Sequence, residues 1–361
     1  MIGVTITRYL AWRFLKTILA IFVTILCLMF VVNFVELLRR SSDNPGAGAA
    51  VVALMAGLRV PAAAEMILPF AVLFGCMATF VDLTRKLELI VARAAGMSVW
   101  QFLAAPAITA FLLGVFSVAV YNPAAALMKI HADKMEWELF GVQGSLRIDH
   151  SVWFRQHSID GDSIVHAVGA QNGGAELSEV SVVLHAPNGG VIEHIEAMRA
   201  RLEPGVWVLE EAQVDAPGEP ARKVGTYMLA TDLTPEQLSA ATAPPQGTPF
   251  WDLPEMSARI AAAGLDGLGY RLQYQVLLAR PLLLVAMVLL AASFSLRFFR
   301  SGGVAMTVSG GVASGFVLYI ATKVLSDLGG AGMVSPLVAA WSPALVGSML
   351  GTLTLLNSED G

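Results

Sequence analysis

The sequence predicts a membrane α-helical protein with six transmembrane helices and an all-β, jellyroll-like domain inserted between spans 3 and 4. Three observations carry that expectation. Of the 361 residues, 56% are hydrophobic and 14% charged, whereas soluble domains average about 45–50% apolar and about 25% charged. Six apolar stretches are long enough to cross a bilayer, at roughly 17–37, 62–81, 101–121, 275–296, 304–325 and 335–356. Between the third and the fourth, a segment of about 140 residues changes to short alternating runs broken by turn residues.

The first element begins at the amino terminus. Arg8, Arg13 and Lys16 precede an apolar run longer than the core of a signal peptide, so an uncleaved first span is expected. Tyr9, Trp12 and Phe14 among those cations predict a short amphipathic helix at the membrane interface before it. Span 2 is less clean. Arg59, Pro61 and Glu65 interrupt its approach, and Pro61 with Pro69 predicts a kinked or broken entrance.

Span 2 is followed by DLTRKLELIVARAAGMSVW, residues 82–100, a strongly charged stretch between apolar runs. On a helical wheel Leu83, Leu87, Ile90, Val91 and Ala94 share one face, while Arg85, Lys86 and Arg93 fall elsewhere. A helix over 82–97 is expected, as an ordinary loop helix or as a docking surface for a soluble partner. Orientation follows from the short loops. A cytoplasmic amino terminus places Arg8, Arg13, Lys16, Arg85, Lys86, Arg93, Arg297 and Arg300 inside, against Arg39, Arg40, Arg59 and Lys323 outside. Eight cations against four predict that both termini and the 82–100 stretch are cytoplasmic.

The external segment opens with HADKMEWELF, a helical continuation of span 3. Strand-like runs follow, with Asp160-Gly161, Pro187-Asn188-Gly189-Gly190 and Pro204-Gly205 as turns and a break from Pro217 to Pro220. A single sandwich or open jelly roll of about 90–110 residues accounts for them. A short helix, LPEMSARIAAAG, precedes span 4. The expected division is therefore 1–135 for the first transmembrane half, 136–265 for the β domain and its linker, and 266–361 for the second half.

Catalytic patterns are absent from the sequence. It holds no GxxxxGK[ST] phosphate loop, no HExxH and no GxSxG, so no catalytic residue is predicted. The histidines (His131, His150, His157, His166, His185 and His194) all fall on the external segment without metal-ligand spacing, and no metal site is expected. Cys27 and Cys76 lie inside apolar runs, where packing is their expected role. Nothing resembles a nucleic-acid-binding tail.

Charges inside the spans would mark an ion or proton path. The expectation is that they are nearly absent. Glu36, Arg39 and Arg40 sit at the outer end of span 1, and Lys323 with Asp327 at that of span 5. The lack of a buried carboxylate argues against proton coupling. The outer cations suit either snorkelling to headgroups or recognition of a phosphorylated substrate. Gly310, Gly311, Ser314 and Gly315 in span 5, and Gly347 with Gly351 in span 6, suit close helix packing or a sliding gate, against this chain or a second subunit.

Several stretches together resemble the LptF/LptG permease family, and most its LptG branch. They are TRYLAWRFLKTILAIF, FVELLRR, LTRKLELIVARAAGMS, TPEQLSA, LPEMSARIAAAGLDGLGYRLQYQVLLARPL and GGVASGFVLYIATKVLSDLGG, spread over essentially the whole chain. The resemblance implies a subunit of the lipopolysaccharide export ABC transporter in the bacterial inner membrane, with a periplasmic β-jellyroll. It implies a heterodimer with an LptF-like permease, a dimeric LptB-like ATPase in the cytosol and an LptC-like anchored protein. No cofactor would be bound directly, since ATP and Mg would be used by the ATPase.

The resemblance also assigns residues. Glu88, with Arg85, Leu87 and Arg93 around it, would couple to the ATPase. Arg39, Arg40 and Lys323 would meet lipopolysaccharide phosphates. Phe30, Asn33 and Phe34 of span 1, with Phe316 and Tyr319 of span 5, would line a gate or cavity. Asn33 stands where enteric relatives tend to carry a lysine. Two other readings fit the residues: a permease for another lipid or lipoprotein driven by a separate ATPase, and a non-transporting scaffold or sensor with an external ligand domain.

Overall fold

A computed structural model describes residues 2–41, 48–94, 96–145, 152–159, 161–171, 174–185, 190–218, 220–234, 238, 245–262, 267–297 and 304–359. The chain divides into two compact units. The first comprises Met1–Ala132, Pro249–Trp251 and Leu272–Gly361, and the second Asp133–Thr248 and Asp252–Arg271.

The helices are α1 (Ile2–Ser41), α2 (Ala49–Ala64), α3 (Leu68–Arg85), α4 (Glu88–Ala94), α5 (Val99–Phe116), α6 (Asn122–Ser145), α7 (Leu253–Ala262), α8 (Leu268–Arg297), α9 (Val304–Gly330) and α10 (Pro336–Glu359). Six described stretches are long and apolar enough to cross a membrane: Ile6–Ser41, Leu68–Arg85, Val99–Glu136, Leu268–Ser295, Ser309–Gly330 and Pro336–Asn357. They coincide with the six expected spans and are numbered accordingly.

Two details differ from expectation, and the broken entrance of span 2 matches it. The interfacial helix before span 1 is not separate, because α1 runs unbroken over 40 residues; no proline or glycine between Phe14 and Ser41 interrupts it. The entrance of span 2 breaks at Glu65–Ile67, after a separate α2 that contains Pro61. Pro69 lies in the first turn of α3, where its missing N–H costs nothing. Span 3 is α5 continued through a π-helical turn, Ser117–Tyr121, into α6. Ser98 starts it with a capping box: its side chain accepts from the Gln101 backbone and the Gln101 side chain accepts from its own.

Side-chain size decides how the bundle closes. Phe14 and Ile18 of α1 are fully buried. Phe14 meets Phe80 of α3 edge to face at 4.9 Å, and Phe80 lies 5.9 Å from Phe102 of α5. Gly75 lets α3 approach α1, since a Cβ there would sit 2.8 Å from the Ile18 Cα. The small residues of spans 5 and 6 pack within the chain. Gly310 faces Phe294 of α8, Gly311 and Gly315 face Met77 and Leu73 of α3, and Gly347 and Gly351 face Leu318 and Leu289. Burial is uneven. In the most apolar window of each helix, 61% of residues are buried in span 2, but 11% in span 1 and 17% in span 5.

The second unit is built on one six-stranded antiparallel sheet in the order β1-β2-β3-β4-β5-β6. The strands are β1 (Val152–Ser158), β2 (Gly161–Gln171), β3 (Glu176–His185), β4 (Val191–Glu203), β5 (Val206–Asp215) and β6 (Arg222–Ala230). Glu203 pairs with Val206 across Pro204-Gly205, where Gly205 takes a φ of 83°. Proline then glycine suits a type II turn. Asp160 and residues 187–189 lie outside the described residues. Glu179 and Glu211 carry positive φ of 50° and 55°, where the strand pairing skips a residue. The pairing of β3 with β4 also shifts register between Leu184 and His185. The sheet curls: the buried Gln156 of β1 accepts from Trp207 Nε1 (3.2 Å) and Thr231 Oγ1 (2.7 Å) and donates to the Ala230 carbonyl (3.3 Å). One satisfied amide thereby joins the two edge strands.

The Gly114 contact supplies a test of the packing. A Cβ there would lie 2.5 Å from the Pro281 Cα of α8, against backbone that cannot rotate away. Gly114→Ala is expected to destabilise the protein by about 1–3 kcal/mol in thermal unfolding in detergent. Gly48→Ala, with no atom near its Cβ, serves as the unaffected control.

Candidate functional site

Arg13 organises one end of the helical unit. Its guanidinium, 16% exposed, reaches from α1 to two carboxylates that flank a chain break. Nη2 donates to Asp82 in the last turn of α3. Nη1 donates to both Glu88 oxygens, at 2.8 Å each, and to the Tyr9 hydroxyl at 2.6 Å. Tyr9 donates in turn to Glu88 at 3.3 Å, and Lys86 to Asp82 at 3.1 Å. A planar guanidinium can face two acids at once in a way an ammonium cannot.

The break itself corrects the expected helix over 82–97. Span 2 continues to Arg85, Leu87 turns with a φ of 60°, and α4 covers only seven residues from Glu88. A left-handed leucine costs roughly 1–2 kcal/mol. It also resets the helical phase, so the expected apolar face is divided. Leu83 and Leu89 are buried, whereas Leu87, Ile90 and Val91 are 56%, 44% and 66% exposed. Arg85 is exposed beside them, and the Arg93 side chain lies outside the described residues.

The cations at the other end of α1 occupy its last turn, where the helix dipole favours positive charge. Arg40 pairs with Glu36 at 2.5 Å, and Arg39 and Arg59 also act electrostatically on that carboxylate. Lys323 pairs with Asp327 at 2.9 Å. These are exposed i,i+4 pairs, screened by solvent and of little net worth. An anionic ligand could displace the carboxylates cheaply.

The residues expected to line one gate are described with separate neighbours. Phe30 and Phe34 stack on each other at 6.0 Å, with Phe30 beside Gly57 of α2. Asn33 donates back to the Met29 carbonyl of its own helix at 2.9 Å. Tyr319 lies 5.2 Å from Phe70 of α3 and donates to Met66 Sδ at 3.4 Å, while Phe316 is exposed. Span 5 thus meets Met66 in the break at Glu65–Ile67 and Phe70 just after it.

A second polar cluster overturns the expectation that charges are nearly absent from the spans. Arg280 of α8 lies 3.3 Å from Glu65, and each side chain is only 11% exposed. Asn122, at the end of the π-helical turn, donates to Glu65 (3.1 Å) and accepts from the Phe250 backbone (2.9 Å). Tyr121 donates to the Pro61 carbonyl at 3.0 Å, and Trp251 Nε1 to the Ala119 carbonyl at 3.2 Å. The cluster joins the α2–α3 break, span 3, span 4 and residues 250–251. A readable signal existed: Glu65 and Arg280 are opposite charges inside two of the expected spans. No comparable signal marked Arg13, one of several cations near the amino terminus. Among the described residues no group of three or more His, Cys, Asp or Glu could hold a metal ion.

Glu65→Ala would leave the Arg280 charge buried without its partner. A loss of about 3–5 kcal/mol in thermal unfolding is expected. The double substitution Glu65→Leu with Arg280→Met should recover most of it.

Comparison with known proteins follows the same outline. The family described as lipopolysaccharide export system permease LptF/LptG matches residues 8–357. LptG of Escherichia coli strain K12 is 23% identical over 347 residues, covering 93% of this chain and 94% of the relative. LptG of Haemophilus influenzae is 22% identical over 360 residues, covering 98% and 96%. The match takes in all six spans and the sheet between them, and the chain belongs to the LptF/LptG family of lipopolysaccharide export permeases.

Proposed function

We propose that the chain is the LptG-type permease subunit of an ATP-driven transporter that extracts lipopolysaccharide from the outer leaflet of the inner membrane. The observation that carries this reading is the family match over residues 8–357, which spares neither end of the chain nor the inserted sheet. The chain would pair with an LptF-like permease and a cytosolic LptB-like ATPase dimer, which alone binds ATP and Mg. An LptC-like periplasmic protein would accept the lipid. Both termini and α4 would then be cytoplasmic, and the curled sheet would form a jellyroll-like periplasmic domain.

The physical demands of the task suit this chain. Exposing a lipid chain to water costs about 0.8 kcal/mol per CH₂. Apolar surface must replace the bilayer during extraction, and the little-buried spans 1 and 5 offer it. Arg39, Arg40 and Lys323 would meet phosphate groups, and Arg59, which acts on the same Glu36 carboxylate, would join them. Phe30, Asn33, Phe34, Phe316 and Tyr319 would line the lipid path. At the opposite end, the exposed Leu87, Ile90 and Val91 around Glu88, with Arg85, form a surface suited to a groove on the motor, and the family resemblance adds Arg93 to the coupling residues.

The test is co-purification from inner membranes, followed by mass spectrometry of bound lipid. A second six-span chain, a P-loop ATPase and lipopolysaccharide are expected together. Recovery of neither motor nor lipid would overturn the reading. In reconstituted vesicles Glu88→Lys should lower ATP-driven lipopolysaccharide release by about tenfold or more, the scale of losing a charged hydrogen bond.

A further inference from the structure

The Arg13 cluster joins elements that the proposed mechanism needs to move together. Asp82 belongs to span 2 and Glu88 to α4, and between them Leu87 holds a strained left-handed turn. Backbone hydrogen bonds on either side of the turn stay local: Leu87 N–H donates to Thr84, and Val91 N–H to Leu87. Arg13 spans this joint from a third element and binds both of its sides. The rest of α1 is a straight lever in sequence terms. No glycine or proline separates Arg13 from Arg40, a distance of about 40 Å along a helix.

The lever also has a pivot and a partly covered arm, with Leu37 buried in its far half. Phe14 and Ile18 are fully buried, and Ile18 lies against Gly75 of α3. Farther along, Val31, Val32, Val35 and Leu38 are all more than 40% exposed. A displacement applied at Glu88 therefore meets a tight contact near Arg13 and a far end with one face exposed and Leu37 buried. We infer that Arg13 is a positioning residue that transmits displacement of α4 to span 1, so that the Arg39–Arg40 end moves with the motor. This inference rests on the transporter reading above.

The fork is what makes the assignment specific. Nη1 and Nη2 go to different carboxylates on different elements. Lysine would neutralise the same charge but present one ammonium and no fork. Transmission should therefore fail in Arg13→Gln and be only partly restored in Arg13→Lys. A merely charge-neutralising role would be fully restored by lysine.

Two measurements decide it. In the full chain in detergent, spin labels at Leu38 and Val91 report whether the two ends of the lever move as one body. A narrow distance distribution that broadens in Arg13→Gln supports the inference, and an unchanged distribution overturns it. The second measurement uses the complex with its partner permease and ATPase in vesicles containing lipopolysaccharide. Arg13→Gln should keep ATP hydrolysis but lose roughly fivefold or more of the lipid released per ATP, the lower range of coupling between sites. Wild-type release per ATP in Arg13→Gln, or full rescue by Arg13→Lys, would overturn the inference. A wild-type complex that recruits no ATPase or releases no lipopolysaccharide would instead sink the transporter reading. The spin-label result in the isolated chain would still judge the clamp.

Discussion

Burying a charged group in an apolar bundle costs several kcal/mol unless an opposite group meets it. Two arginines in this chain answer that constraint, and much of the architecture follows from where they do so. Arg280 meets Glu65 at the broken entrance of span 2, where Asn122 donates to the same carboxylate oxygen and Glu65 Oε1 is left without a hydrogen bond. Arg13 meets Asp82 and Glu88 where span 2 gives way to α4. Span 2 is thus held at both ends by charge, and between them by close contacts through Gly75, Gly311 and Gly315. It is also the most buried of the six.

That fixed central helix makes the contrast with spans 1 and 5 meaningful. Span 5 presents its glycines to α3 and leaves Phe316 and Val317 exposed. Span 1 anchors Phe14 and Ile18 and leaves much of its far half uncovered. A closely packed element flanked by two lightly covered ones suits the proposed extraction of a lipid. The small residues here serve packing within the chain, which favours close fit over sliding as their primary role.

Much of this was legible from residue order. Apolar length alone located the six spans, because a bilayer demands it whatever the packing. Alternation and turn residues located the sheet, and Pro204-Gly205 its hairpin. The candidate site was less legible. Glu88, Arg40 and Lys323 stood out as charges in telling places, but the partner of Glu88 did not. Glu36 and Asp327 follow helical spacing, whereas Arg13 lies 75 residues from Glu88. A helical wheel also assumes an unbroken helix. The left-handed Leu87 invalidates it within one residue, turning Leu89 inward and Ile90 outward.

The sequence by itself determined the membrane class, the number and position of the spans, the inserted sheet and the absence of a phosphate loop. Each is a matter of composition or local periodicity, which depends on neighbours along the chain. Only the tertiary structure decided that α1 is one helix, that the entrance of span 2 is a break and not a kink, and that Arg280 pairs with Glu65. It alone brought Tyr9, Arg13, Asp82 and Glu88 into one cluster. Hydrogen bonds and ion pairs act over a few ångströms of space, and separation along the chain carries no trace of that distance.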